Sequence, residues 1–332
     1  VNELRRDPIT DRWVIISTER GKRPTDFKAV QQEHKGGFCP FDEGNEKYVP
    51  KEIYAIRDKN SKPNGKGWKL RVVPNKFPAL RIEGDLGKRG VGMYDMMNGI
   101  GAHEVIIETP NHNETIDTMS LESVRNIVIA YRERILDLKK DSRMKYVLVF
   151  KNWGLLAGAS LEHTHSQLIA TPIVPKRIVE YLNGHKRYFD YRGRCIICDM
   201  VTQELSERTR FVDENKDFVV IEPFASRFPF ETWIIPKNHQ AHYEFENSSI
   251  YNSFADILRM TIKRLSIALN RAPYNFVLMN CSFDNKYNEY YHWHLEIIPR
   301  LTKIAGFEWG TGFYINPTLP EDAAKFLREV DM

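Results

Sequence analysis

A pattern of cysteines and histidines occurs twice along this chain, and it limits the fold more than any other feature. Each occurrence opens with a cysteine pair or its remnant, Cys39-Pro-Phe-Asp42 and Cys195-Ile-Ile-Cys198. A lone histidine follows in a similar setting, His112 at the end of ETPNH and His239 at the end of IIPKNH. A His-x-His pair closes each set: His163 stands 51 residues after His112, and His292 stands 53 residues after His239. Four features in one order, twice over, mark an internal duplication, so the chain should fold as two related units.

The intervening segments agree. HEVIIET (103–109) alternates and is rich in β-branched residues, which reads as a strand. Ser120 is placed to cap a helix whose apolar stripe is Leu121, Val124, Ile127, Val128, Tyr131, Ile135 and Leu138. YVLVF (146–150) and THSQLIAT read as further strands. In the second unit ETWIIP (231–236) is the strand, and a helix from about Ser249 carries Ile250, Phe254, Ile257, Leu258, Ile262, Leu265 and Leu269. NFVLMN (275–280) and WHLEIIPR complete it. One long helix per unit cannot supply the crossovers of a parallel sheet, so the expected class is α+β, with largely antiparallel sheets each packed with a long helix. Residues 176–194 are rich in Lys, Arg and Tyr without clear periodicity, which sets the expected units at 1–185 and 186–332. Two tails lie outside the repeat: an arginine-rich turn, STERGKRPTDF, and a C-terminal stretch read as a glycine-containing loop, GFEWGTG, then a short helix after Pro320.

Composition excludes several classes. A net charge of +4 on 332 residues gives no polyelectrolyte attraction, so neither nucleic-acid coating nor membrane adhesion is expected. No apolar run approaches the length of a membrane span, and the charged start VNELRRDPITDRW lacks the apolar stretch of a signal peptide. Four cysteines are too few for a disulfide framework. A reducing cytoplasm, with the thiols as ligands, fits best.

Cys195, Cys198, His239 and His292 have the types and number of a closed structural zinc site. The competing reading is a redox Cys-x-x-Cys. That motif should follow a strand and open a helix, whereas CIICDM follows what reads as a basic loop. The corresponding first-unit set is Cys39, Asp42, His112 and His163, where Asp42 is a harder ligand than thiolate or else a solvated turn residue. Either ion would act as a staple for its His-x-His strand.

HTHSQ carries the chemistry. On a strand His163, His165 and Gln167 project to one face. With His163 tied to metal, His165 is held rigidly but not coordinated, and a neutral imidazole so fixed can attack phosphorus through a covalent phosphoramidate. Gln167 is placed to hydrogen-bond phosphate oxygens. KNWGLLAGAS offers Asn152, Gly158 and Ser160, around which backbone N–H groups could approach a phosphate, and Arg20 and Arg23 could add charge-assisted contacts. On the residues alone a His-x-His is more often a metal pair than a catalytic one. The second copy, YHWHLEIIPR, has Glu296 in place of Gln and lacks the glycine-rich lead-in, so His294 reads as structural.

Taken together these segments resemble galactose-1-phosphate uridylyltransferase, a branch of the histidine triad superfamily built from two tandem copies of that fold. RDPITDRWVIIS, GKRP, CPF, the asparagine of VVPNKFPAL, ETPNH, KNWG…GAS, HTHSQ, FPFETWIIPKNH and HWHLEIIPR match in order over nearly the whole chain. The resemblance implies two tandem histidine-triad-like domains, with His165 as the nucleotidylated nucleophile and Gln167 as the phosphate-binding amide. It places phosphate and nucleotide contacts on Arg20, Arg23, Asn75, Asn152 and Ser160, and zinc ligands on Cys39, Asp42, His112 and His163. Thr164 replaces the usual proline of His-Pro-His, similar to the His-Ser-His-Ser-Gln of plant relatives. Asp42 stands where a second cysteine is usual. FEWGTG, with Thr311 and Gly312, stands where the uridylyltransferases grip galactose with a Tyr-Glu pair, and it looks closer to the plant ADP-glucose phosphorylases.

The resemblance implies a ping-pong transfer that converts UDP-glucose and galactose 1-phosphate into UDP-galactose and glucose 1-phosphate. The alternatives are AMP transfer from ADP-glucose to phosphate, and a zinc-stabilised nucleotide-binding module without catalysis. A nucleotide sugar and a sugar phosphate are thus the expected partners, and a homodimer is expected by resemblance alone.

Overall fold

The computed structural model describes residues 2–18 and 36–332. Strands β1 (Glu3–Arg6) and β2 (Trp13–Ile16) form a hairpin. Then come β3 (Tyr54–Arg57), β4 (Trp68–Pro74), a small hairpin of β5 (Arg89–Val91) and β6 (Tyr94–Met96), and β7 (Ala102–Ile107). Helix α1 (Leu121–Leu138) leads to β8 (Tyr146–Trp153) and β9 (His165–Thr171). Helices α2 (Lys176–Arg192) and α3 (Ile196–Glu207) precede β10 (Phe211–Glu214), β11 (Phe218–Ile221) and β12 (Thr232–Pro236). Helix α4 (Ser248–Ala268), β13 (Tyr274–Met279) and β14 (His294–Pro299) complete the second repeat, and the tail adds α5 (Gly306–Thr311), β15 (Tyr314–Asn316) and α6 (Pro320–Arg328).

Ten strands form one sheet in the order β10-β11-β12-β14-β13-β8-β9-β7-β4-β3. Its pairings are antiparallel throughout. The sequence predicts a sheet for each unit; instead β8 and β13, the same strand in the two repeats, pair side by side with Phe150 opposite Val277 and Asn152 opposite Asn275. The reason lies in their composition. YVLVF and NFVLM are apolar on both faces, and either one left as an edge would be open to pairing with another chain. Helices α1 and α4 cover one face over a shared core in which Ile127, Tyr131, Phe254 and Leu258 meet Val149, Leu168, Phe276 and Leu295. Helix α1 begins where the sequence places it: Ser120 is extended and its Oγ accepts the N–H of Ser123 at 3.1 Å, a cap that stabilises by about 1 kcal/mol.

Two readings are corrected. The aperiodic stretch is helix α2, so the expected boundary at residue 185 falls inside a helix. Its buried side chains, Ile178, Tyr181, Leu182 and His185, do follow helical spacing, but a histidine, a tyrosine and Gly184 disguise the stripe. Gly184 is required there: a Cβ would lie 1.7 Å from the carbonyl oxygen of Ile9, in the turn between β1 and β2. GFEWGTG is likewise helix α5 rather than a loop. Its start is held by the Glu308 carboxylate accepting the N–H of Ala305 at 3.0 Å, and it ends at Gly312 in the left-handed region (φ 73°). Among the described residues no helix is long and apolar enough to cross a membrane.

Candidate active site

Strand β9 runs between β8 and β7, and the pairing sets Gln167 opposite both Phe150 and Val105, and His165 opposite Ile107. Alternation turns His165 and Gln167 to the face away from α1, where Phe41, Val73, Val105 and Ile107 pack. His165 is 6% exposed, and the Phe41 ring stands edge-on to it at 5.3 Å. The His163 carbonyl accepts the Nδ1–H of His165 at 2.8 Å, which leaves the lone pair on Nε2. Burial pushes the His165 pKa down to about 4, and the Lys151 charge acts in the same direction. The ring is therefore neutral at physiological pH and its tautomer is fixed, as a nitrogen nucleophile needs.

Behind the strand, on the helix side, lies a buried polar cluster that sequence reasoning missed. Lys151 Nζ donates to Glu108 Oε2 at 2.5 Å, to Thr164 Oγ1 at 2.7 Å and to the His165 carbonyl at 3.1 Å. Glu108 also accepts from the hydroxyls of Thr164 and Ser166, and Ser166 contacts the Tyr131 hydroxyl. Burial works against both charges, yet Lys151 and the hydroxyls hold the Glu108 carboxyl below its ordinary range. The second repeat shows that the fold does not need these groups. Phe150 pairs with Gln167 as Val277 does with Glu296, so Lys151 corresponds to Leu278, and by position around His-x-His, Thr164 and Ser166 correspond to Trp293 and Leu295, all apolar and buried. Lys151→Leu leaves Glu108 buried without its cation and should destabilise by about 3–5 kcal/mol. Adding Glu108→Gln should restore more than half of that loss. Urea unfolding of the single and double variants checks this, and an unaltered midpoint in the single variant contradicts it.

The other residues picked out from sequence fall into three groups. Asn75 and Asn152 lie on the His165 face: Asn75 follows β4 and contacts His103, and Asn152 on β8 contacts Asn275. The loop after β8 is shaped by Gly154 (φ 91°) and Gly158 (φ 87°). The N–H groups of Ala157, Gly158 and Ala159 close its own turn on the carbonyls of Gly154 and Leu155, because Leu155–Ala157, set between two glycines at positive φ, form a tight 3₁₀ turn. Ser160 is exposed at its end. The Thr311 hydroxyl is used by its own helix end, donating to the Phe307 carbonyl at 2.7 Å and accepting the N–H of Phe313 at 3.1 Å. Arg20 and Arg23 lie outside the described residues.

Both sets of candidate ligands converge. The donor atoms of Cys195, Cys198, His239 and His292 lie within 4.8 Å of one another, as do those of Cys39, Asp42, His112 and His163. Cys195 caps α3 and Cys198 sits in its first turn, so the Cys-x-x-Cys opens a helix, but it follows α2 rather than a strand or a loop. In each repeat the last histidine is anchored the same way: His163 Nε2 donates to the Thr109 carbonyl at 2.7 Å and His292 Nε2 to the Pro236 carbonyl at 3.0 Å. Both rings therefore turn Nδ1 inward as an acceptor, and a carbonyl partner on the other nitrogen is the usual support for a ligating imidazole. Burial lowers the pKa of both rings, so both are neutral. In the first set this puts the His163 Nδ1 lone pair 3.0 Å from Asp42 Oδ1, which also lies 2.8 Å from His112 Nδ1. A nitrogen lone pair facing a carboxylate is repulsive unless a cation sits between them, so Asp42 fits as a ligand rather than a solvated turn residue. The second His-x-His cannot repeat the chemistry of the first. His294 is fully buried against Trp233, with ring centroids 4.6 Å apart, and Glu296 is bound by Arg177, Arg227 and Tyr181.

This geometry can be set beside known proteins. A family profile described as galactose-1-phosphate uridyl transferase, N-terminal domain, matches residues 1–175, and one described as a domain of unknown function (DUF4921) matches residues 101–329. ADP-glucose phosphorylase of Arabidopsis thaliana is 38% identical over 99% of this chain and 93% of its own length. The chain belongs to the galactose-1-phosphate uridylyltransferase family. Among relatives in that family, galactose-1-phosphate uridylyltransferase of Thermotoga maritima is 29% identical over 99% of each chain. The crystal structure of the Arabidopsis ADP-glucose phosphorylase with bound ADP-glucose superposes with a TM-score of 0.85 at 37% identity over all of both chains. A solved uridylyltransferase superposes at 0.76 with 25% identity, over 99% of this chain and 97% of the other. Family membership carries with it nucleotidyl transfer between nucleotide sugars and sugar phosphates.

Proposed function

We propose that this chain transfers a nucleotidyl group from a nucleotide-diphosphate hexose through a covalent intermediate on His165. The observation that carries the reading is the buried, neutral imidazole whose Nδ1–H is fixed on the His163 carbonyl, leaving Nε2 as the nucleophile. Nε2 attacks the α-phosphorus, a P–N bond forms, the P–O bond to the β-phosphate breaks, and hexose 1-phosphate leaves. A phosphate oxygen of the second substrate then attacks the same phosphorus and the P–N bond breaks. Each step exchanges one nucleophile for another, so no separate strong base is required.

For the donor we favour ADP-glucose with phosphate as acceptor, ahead of the UDP-glucose and galactose 1-phosphate pair that the sequence places first. What supports the adenylyl reading is the higher identity to the Arabidopsis phosphorylase over the full chain, together with the C-terminal segment FEWGTG in place of the Tyr-Glu pair. The two readings part in one assay. Initial rates are measured with ADP-glucose plus phosphate and with UDP-glucose plus galactose 1-phosphate, and the first should exceed the second in kcat/KM by at least about 100-fold, the discrimination a hydrogen-bonding site readily achieves. The reverse ratio returns the chain to uridylyl transfer.

Zinc is the metal these ligand sets suit, held by Cys195, Cys198, His239 and His292 and by Cys39, Asp42, His112 and His163. When bound it would serve as a closed structural staple. In the first site it would fix His163, whose carbonyl in turn orients His165. A homodimer is proposed on family resemblance alone.

A further inference from the structure

On the His165 face, a row of polar side chains crosses five neighbouring strands: Asn75 beyond β4, His103 on β7, Gln167 on β9, Asn152 on β8 and Asn275 on β13. Which end of a side-chain amide points where is ordinarily an assignment. Here two backbone groups decide it. The N–H of Ala79 donates to His103 Nδ1 at 3.1 Å. An N–H can only donate, so Nδ1 bears the lone pair and the neutral ring carries its proton on Nε2. That proton is given to Gln167 Oε1 at 2.9 Å, so Gln167 must turn its oxygen to His103 and its NH2 away. On the far side, Asn275 Nδ2 donates to the carbonyl of Ala157 at 2.8 Å. A carbonyl can only accept, so the same Nδ2 also donates to Asn152 Oδ1 at 2.8 Å and leaves the Asn152 NH2 unspent. Asn75 Oδ1 accepts the N–H of Phe77 at 2.9 Å, and its Nδ2 lies 3.1 Å from the same His103 Nε2, so its amino group is turned to the ring. Gln167 and Asn152 thus have their acceptor ends tied and their donor ends left for a ligand.

We propose that His103 and Asn275 are positioning residues that make this row donor-only, so that Gln167 and Asn152 present NH2 groups, never carbonyls, to fully ionised phosphoryl oxygens. The inference rests on the function proposed above. Without His103 the Gln167 amide is free to rotate and can turn its oxygen toward the phosphate, where it repels the charge it should bind. Asn275 belongs to the second repeat, so that repeat contributes to the catalytic face through this residue although its own His294 is sealed.

The test is the rate of nucleotidyl-enzyme formation by rapid quench with labelled ADP-glucose and UDP-glucose, in the holoenzyme and in variants of equal metal content. His103→Leu should slow adduct formation about 10–100-fold, the range typical of groups that orient a functional side chain. His103→Gln, which keeps a donor near the place of Nε2, should recover to within a few-fold of the parent. In a Gln167→Ala background His103→Leu should cost nothing further, because there is no amide left to orient. The same pair of measurements with Asn275→Leu and Asn152→Ala carries the test if His103→Leu does not fold. Equal losses with and without Gln167, or an unchanged rate in His103→Leu, would overturn the inference while leaving covalent transfer intact. Absence of any adduct in the parent enzyme would sink the proposed function, and this inference with it.

Discussion

Replacing His165 by alanine is expected to reduce turnover by on the order of 10⁴-fold or more, while metal content stays the same and the melting temperature moves by only a few degrees. The size follows from the absence of a substitute. His163 has one nitrogen on the Thr109 carbonyl and the other facing Asp42, and His112 likewise faces Asp42. His103 has both nitrogens engaged, with Ala79 and Gln167. No other imidazole among the described residues on this face offers a free lone pair to phosphorus. Water would have to attack directly, without the division into two easier displacements that a covalent intermediate provides. Turnover within tenfold of the parent, with homogeneous folded protein, would contradict a nucleophilic role.

Cys198→Ser is expected to act on the fold instead. Its site joins the start of α3 to His239 beyond β12 and to His292 at the head of β14, three segments far apart in sequence. The contact with Cys195 above all, then those with His239 and His292, hold the Cys198 thiol well below its ordinary range, as a ligand poised to be a thiolate requires. Losing a metal ligand belongs to the few changes that cost roughly 4 kcal/mol or more, so one equivalent of metal should disappear and the melting temperature should fall by on the order of 10 °C. A chelator should reproduce the fall in the parent protein. Asp42→Ala should show the opposite balance, with a smaller loss of stability and a larger loss of adduct rate, since its site holds His163 and through it His165. Calorimetry and metal analysis of both variants separate the two roles; an unchanged melting temperature in Cys198→Ser would mean its four residues are not a staple.

How much of this was legible in the sequence depended on whether a signal was local. The duplicated cysteine and histidine spacing located both ligand sets, and Ser120 with its apolar stripe marked the start of α1, because capping and helical periodicity are written in neighbouring residues. Helix α2 was hidden because its buried face uses His185, Tyr181 and Gly184, residues whose fit depends on the turn at Ile9 and the carbonyl of Tyr290 rather than on hydrophobicity. The single ten-stranded sheet was invisible for a similar reason, since pairing of β8 with β13 joins segments more than a hundred residues apart. His103 and Asn275 carried no motif, and ETPNH and KNWG, which hold Glu108 and Lys151, gave no sign that those two pair. Beyond that the trace was alternation within strands already recognised, in which HEVIIET places His103 on the same face as its apolar neighbours Val105 and Ile107, and Lys151 and Asn152 interrupt an otherwise apolar β8. A polar residue at a buried strand position is such a trace, but its meaning came only when the register showed what lay across from it.

The most direct test of the account is the intact mass of the protein after brief exposure to ADP-glucose or UDP-glucose, beside His165→Ala treated identically. The account predicts one added nucleotidyl group on the parent enzyme, AMP from ADP-glucose in preference to UMP from UDP-glucose, discharged on adding phosphate, with no addition to His165→Ala. A parent enzyme that turns over the nucleotide sugar yet never gains mass, or an adduct that persists in His165→Ala, would contradict it.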